Sequence, residues 1–129
     1  MSTRSSISRL GRDGKIGSIY CHYDGYLDGV GSEILEGFNS QNMARVLVGG
    51  GDRRSVPGER YHYECGEDWE NVKPTTKIGE QEYNYVFDES VGEWFVVSEH
   101  LKGHETFETR VELTRAFIGA EEMTATLSK

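Results

Sequence analysis

Two cysteines, two prolines and no long apolar run set the first limits on this chain of 129 residues. Cys21 and Cys65 stand alone, without a CxxC pair, so a zinc knuckle finds no support. No stretch approaches the ~20 apolar residues of a membrane span. The polar N-terminus is not followed by the apolar core of a signal peptide. The expectation is a cytoplasmic protein with reduced thiols and no membrane partner. Positive charge is also scarce: 14 Lys and Arg against 22 Asp and Glu give a net charge of −8. The imbalance is uneven. Residues 61–129 hold 15 acids against 6 bases, whereas residues 1–15 hold Arg4, Arg9, Arg12 and Lys15 against Asp13 alone. Such an exterior repels nucleic acid and anionic lipid, and it suits either plain solubility or a basic partner.

What is abundant is glycine, at 16 residues, together with two Trp, seven Tyr and five Phe. This favours short strands and tight turns over long helices. The length suits one domain, residues 1–129, that buries roughly two thirds of its unfolded surface without a metal or disulfide. Ser5–Leu10 and Ile16–Tyr23 flank Asp13-Gly14, a type I′ hairpin signal. In the second strand Ile19, Cys21 and Tyr23 form the better core face, with Ile16, Ser18, Tyr20 and His22 opposite. Asp24-Gly25 and Asp28-Gly29 then bend the chain.

After these bends a short helix is expected with Ser32 as N-cap and Val30, Ile34, Leu35 and Phe38 on one face. A second, capped by Ser40, would bury Met43, Val46 and Leu47 and stop at Gly49. "RYHYECG" alternates as a strand does. Tyr83, Tyr85 and Phe87, a turn at Glu89–Gly92 and a return over Trp94–Val97 make the clearest hairpin. Alternation of Phe107, Thr109, Val111 and Leu113 suggests a strand, followed by a short helix. The expected fold is α+β: a small antiparallel sheet of hairpins with one or two short helices on one face.

The segment "SIYCHYDGYLDGVG" concentrates reactive side chains, yet Cys21 and His22 are neighbours on a strand and face opposite sides. They cannot form a thiolate–imidazolium pair with each other. Cys21 reads as a small core residue, and no metal spacing joins His22 and Asp24 to other ligands. A small Cys/His enzyme is retained as an alternative, but no catalytic residue, metal or cofactor is assigned. "LVGGGDRRS" resembles a phosphate-binding loop without the GK[ST] ending. Arg53 and Arg54, with Tyr20 and His22, are therefore the candidates for a small ligand such as a signalling nucleotide. The tyrosines of the Tyr83/Tyr85 hairpin are flanked by carboxylates, which argues against stacked bases and for rings that fill a core or form protein-contact anchors.

The pattern "STRSSI", a DG turn, "SIYCHYDGYLDGVG", a helix and "GD" with a nearby serine resembles small proteins of phages and mobile elements. The likeness covers Thr3–Leu35 well, Gly51–Ser55 faintly and Tyr83–Val97 in style. It carries over no catalytic residue. It implies a setting in the host cytoplasm, where counter-defence proteins such as anti-CRISPR proteins are a frequent case. Together with the charge, it gives the leading expectation. The chain is not an enzyme but an acidic inhibitor that binds a basic host protein or ribonucleoprotein directly, without contacting nucleic acid itself. The contact residues would be Glu67, Asp68, Trp69, Glu70, Asp88, Glu89 and Glu93; a homodimer is left open.

Overall fold

The computed structural model describes residues 3–49, 74–75 and 81–127. Among the described residues six strands form one mixed sheet: β1 (Ser5–Leu10), β2 (Ile16–Cys21), β3 (Pro74–Thr75), β4 (Tyr83–Asp88), β5 (Glu93–Ser98) and β6 (Val111–Glu112), in the spatial order β3-β2-β1-β4-β5-β6. Three α-helices accompany it: α1 (Ser32–Gly37), α2 (Gln41–Gly49) and α3 (Arg115–Leu127). The α+β class is as the sequence indicates. The pairing differs at the centre, where β1 and β4 run parallel with Ile7 opposite Tyr85. The other pairings are antiparallel. Each hairpin is a local feature, whereas their joint depends on the crossover from β2 to β4, which no short-range signal specifies.

The β1–β2 connection is a wider turn than type I′. Gly14 has φ +85° while Asp13 does not adopt positive φ. Gly14 N–H donates to the Gly11 carbonyl, and Gly11 N–H donates to that of Lys15. This is the three-residue hairpin loop that ends on a left-handed glycine.

One face of the sheet carries Ile7, Ile19, Cys21, Tyr85, Phe87, Trp94 and Val96, and all three helices pack into the same cluster through Ile34, Ala44, Leu47, Val48 and Ile118. Phe87 and Trp94 are cross-strand partners whose rings meet edge to face at 5.4 Å. The Trp94 indole N–H donates to the Phe38 carbonyl at 3.0 Å, which fixes the end of α1 over β5. Val30, Ile34 and Phe38 are buried as their spacing predicts. In α2 the buried stripe is Ala44, Leu47 and Val48, while Met43 and Val46 are exposed. The expected face was thus turned by about one position, because the small Ala44, not the larger Met43, fits against the sheet. Ser40 does cap this helix: its Oγ accepts the Met43 N–H at 3.2 Å.

Ser32 is not an N-cap. The backbone is already helical before it, in a π-helical turn over Leu27–Gly31, and the Ser32 hydroxyl donates to Asp28 instead. The strand expected over residues 107–113 shrinks to Val111–Glu112. Thr106 and Thr109 cap each other and draw Phe107–Thr109 into a 3₁₀ turn. The opposite sheet face is closed too. Ser6, Ser8, Asn84 and Val86 are buried; Ser6 donates to Asn84 Oδ1 at 2.7 Å, and the Ser8 and Ser18 hydroxyls meet at 2.7 Å. The strand expected over residues 61–65 lies outside the described residues.

Candidate protein-contact surface

Two of the acids expected at a partner surface belong to the interior. Asp88 ends β4 and Glu89 opens the β4–β5 turn, and each is about 6% exposed. Glu89 sits at the end of β1, where its N–H donates to the Leu10 carbonyl. Its carboxylate takes Arg9 Nη1 at 2.6 Å and Arg45 Nε at 3.1 Å, with Arg45 Nη2 at 3.4 Å from the second oxygen. Arg12 Nε lies 3.5 Å from the Glu89 carbonyl oxygen. One residue thereby ties β1, the β1–β2 turn and α2 to the second hairpin. Burial alone would push the carboxyl pKa up. The hydrogen bonds and charges of Arg45 and Arg9 more than offset that, and hold it below the usual carboxylate value.

Asp88 is held in a similar way. Arg110 Nη2 lies 3.5 Å from its Oδ2, and the guanidinium stacks 4.2 Å from the centre of the Phe107 ring and 4.8 Å from that of Phe95. Its Nη1 donates to the Phe107 carbonyl. Asp88 and Glu89 are therefore corrected from contact residues to structural ones. A carboxylate in a hairpin turn looks solvent-facing in sequence; the arginines that claim these two lie 22 and 80 residues away in the chain.

Glu93 differs from these two. It is exposed at the start of β5, paired across the strands with Asp88. Its face of β5 continues through Phe95, whose partner on β6 is the exposed Glu112. Glu99, Glu105, Glu108 and Glu122 are exposed as well. These residues were missed one by one, although the excess of acid over base in this half of the chain contained the signal. Glu67, Asp68, Trp69 and Glu70, and the ligand candidates Arg53 and Arg54, lie outside the described residues.

Tyr20 and His22, the other ligand candidates, do come together: the Tyr20 hydroxyl is 2.7 Å from His22 Nδ1. Cys21 is fully buried in the core cluster and its thiol contacts the Tyr23 carbonyl at 3.6 Å. Its neighbour His22 lies on the other side of the strand, as alternation requires. Among the described residues no group of His, Cys, Asp and Glu is placed to hold a metal ion, and no helix is long and apolar enough to cross a membrane. Comparison with protein-family models, with curated proteins and with solved structures gives no match for this chain.

Proposed function

We propose that this protein binds and inhibits a basic, nucleic-acid-handling partner, with its second half occupying the partner's Lys/Arg surface. Distribution of charge is the observation that supports this reading. Residues 3–49 carry five acids and five bases, whereas residues 81–127 carry ten acids against Lys102, Arg110 and Arg115. Of those three cations, Arg110 is engaged with Asp88 and Arg115 lies 3.8 Å from Glu36. Glu93, Glu99, Glu105, Glu108, Glu112 and Glu122 are exposed, as is Lys102. A one-sign field of this kind steers association and falls with salt beyond a Debye length of ~10 Å at 0.1 M. The phage-protein likeness of the N-terminal segment supplies the setting, a host defence or nucleic-acid complex.

The test is capture of partners from lysate of the cell that carries the gene, at low and high salt, with the native chain and with Glu93→Lys/Glu108→Lys/Glu112→Lys. Salt-sensitive capture of a nucleic-acid-binding protein, competed by DNA or RNA and lost in the triple variant, is expected. Capture indifferent to both salt and charge reversal sinks the electrostatic reading.

A further inference from the structure

The loop between β2 and the π-helical turn is unusually well tied down for a segment that displays aromatic rings. Four consecutive residues are held by the body of the protein or by the turn that follows. The Tyr23 carbonyl meets the Cys21 thiol, and the Asp24 carbonyl accepts Val30 N–H at 2.7 Å. Gly25 N–H donates to the Thr3 carbonyl at 2.9 Å, while the Gly25 carbonyl accepts the buried Tyr85 hydroxyl at 2.6 Å. The Tyr26 carbonyl accepts Gly29 N–H at 2.9 Å. Asp24 is held at φ +58°, the one non-glycine residue with positive φ among those described.

From this frame Tyr23 and Tyr26 project with 45% and 42% of their surface exposed. Three residues of chain place their Cα atoms at most ~11 Å apart. The His22 ring braces Tyr23 edge to face at 4.5 Å. Asp24 and Asp28 are exposed beside the two rings. Residues 16–44 contain Asp24, Asp28, Glu33 and Glu36 and no lysine or arginine; of these acids Glu36 lies 3.8 Å from Arg115, and the backbone of Arg4 passes Gly25.

We infer that the Tyr23–Tyr26 loop is a pre-formed contact surface for an arginine-bearing segment of a partner protein, with the guanidinium stacked on a tyrosine ring and hydrogen-bonded to Asp24 or Asp28. A guanidinium is the group that combines both contacts, because it is planar, weakly hydrated and fork-shaped, whereas an ammonium is a compact, strongly hydrated charge. The anchored backbone has already lost its conformational freedom, so binding orders little beyond two side chains. This surface is carried on other residues than the acidic second half, and stands or falls separately from it.

The test measures fluorescence anisotropy of two labelled peptides of equal length and charge, one built on arginine-glycine-glycine repeats and one with lysine in place of arginine. The arginine peptide binds at least about 5-fold tighter, within the range expected for stacked against unstacked cations. Tyr23→Leu/Tyr26→Leu keeps apolar bulk without the π-faces, and lowers its affinity about 10-fold with the melting temperature unchanged. Asp24→Asn, which tolerates the left-handed backbone equally well, weakens binding about 3-fold without loss of stability. Glu93→Lys/Glu112→Lys shifts both peptides equally and leaves the arginine preference intact. Equal affinity for the two peptides, or arginine binding that survives loss of both tyrosine rings, overturns the inference even where the acidic surface is upheld.

Discussion

Glu89→Gln separates a structural carboxylate from a partner-facing one. The replacement is nearly isosteric and leaves an amide oxygen for one donor, but it removes the charge shared by Arg9 and Arg45. Arg9 is only 11% exposed, so its largely buried guanidinium would lose the charge of Glu89. Breaking a buried pair in this way costs ~3–5 kcal/mol. The Arg45 contact adds ~0.5 kcal/mol at most, since that side chain is half exposed. The retained amide contact returns part of the total, which leaves a loss of about 2–4 kcal/mol by urea unfolding. A domain of this size loses roughly 3–5 °C per kcal/mol, so the melting point falls by about 6–20 °C.

The same substitution has a defined pH signature. The folded-state pKa of Glu89 is lowered, so its contribution is complete above the ordinary carboxylate range, around pH 4, and is lost as pH falls through the lower folded value. The stability gap between native chain and variant should therefore be widest at neutral pH and close in acid. Glu93→Gln, on the exposed neighbour, should change stability by less than about 0.5 kcal/mol. If Glu89→Gln unfolds like the native chain at every pH and instead weakens partner capture, the buried arrangement of Glu89 is wrong.

Three further outcomes follow from particular contacts. Tyr85→Phe strands the buried Gly25 carbonyl and should cost ~1–3 kcal/mol in urea unfolding, with faster hydrogen exchange over residues 24–31. Gly29→Ala would drive a Cβ into the Asp24 carbonyl oxygen, and because the obstacle is backbone it should lower the melting temperature by more than Tyr85→Phe does. Ser40→Ala removes the acceptor for Met43 N–H and should cost ~1 kcal/mol, read as a lower urea midpoint with unchanged slope.

Local signals in the sequence located most elements that depend on neighbours in the chain, although the type I′ turn expected at Asp13-Gly14 and the N-cap expected at Ser32 are not formed. Alternation of Tyr83, Tyr85, Phe87, Trp94 and Val96 locates the β4–β5 hairpin and its inward face, and Ile19 with Cys21 locates that of β2, although Tyr23, expected on the same face, lies past the strand end and is exposed. The α1 stripe and the Ser40 cap follow from 3.6-residue spacing and from the chemistry of an orphan N–H. The long-range failures have a different cause. Parallel pairing of β1 with β4, the turned face of α2 and the burial of Asp88 and Glu89 all depend on partners far away in sequence. Hydropathy scores Asp88 and Glu89 as solvent-facing, and nothing nearby reveals that Arg110 and Arg9 will meet them. The Thr106–Thr109 turn is an intermediate case, since alternation of Phe107, Thr109 and Val111 was real but side-chain capping overrode it.

These corrections sharpen the functional argument. Asp88 and Glu89 are withdrawn into the interior, where Arg9, Arg110 and the half-exposed Arg45 meet them, so Glu93 and the other exposed glutamates of residues 81–127 carry the outward negative charge. Internal ion pairs of this kind add little net stability over an apolar core. They do fix the β4–β5 turn against β1 and α2, and so hold Glu93 at a set place on the surface. Positioning of the exposed carboxylates thus depends on the hidden ones. Disruption of Glu89 should therefore weaken partner capture only to the extent that it unfolds the hairpin, whereas reversal of Glu93 should weaken it in a fully folded protein.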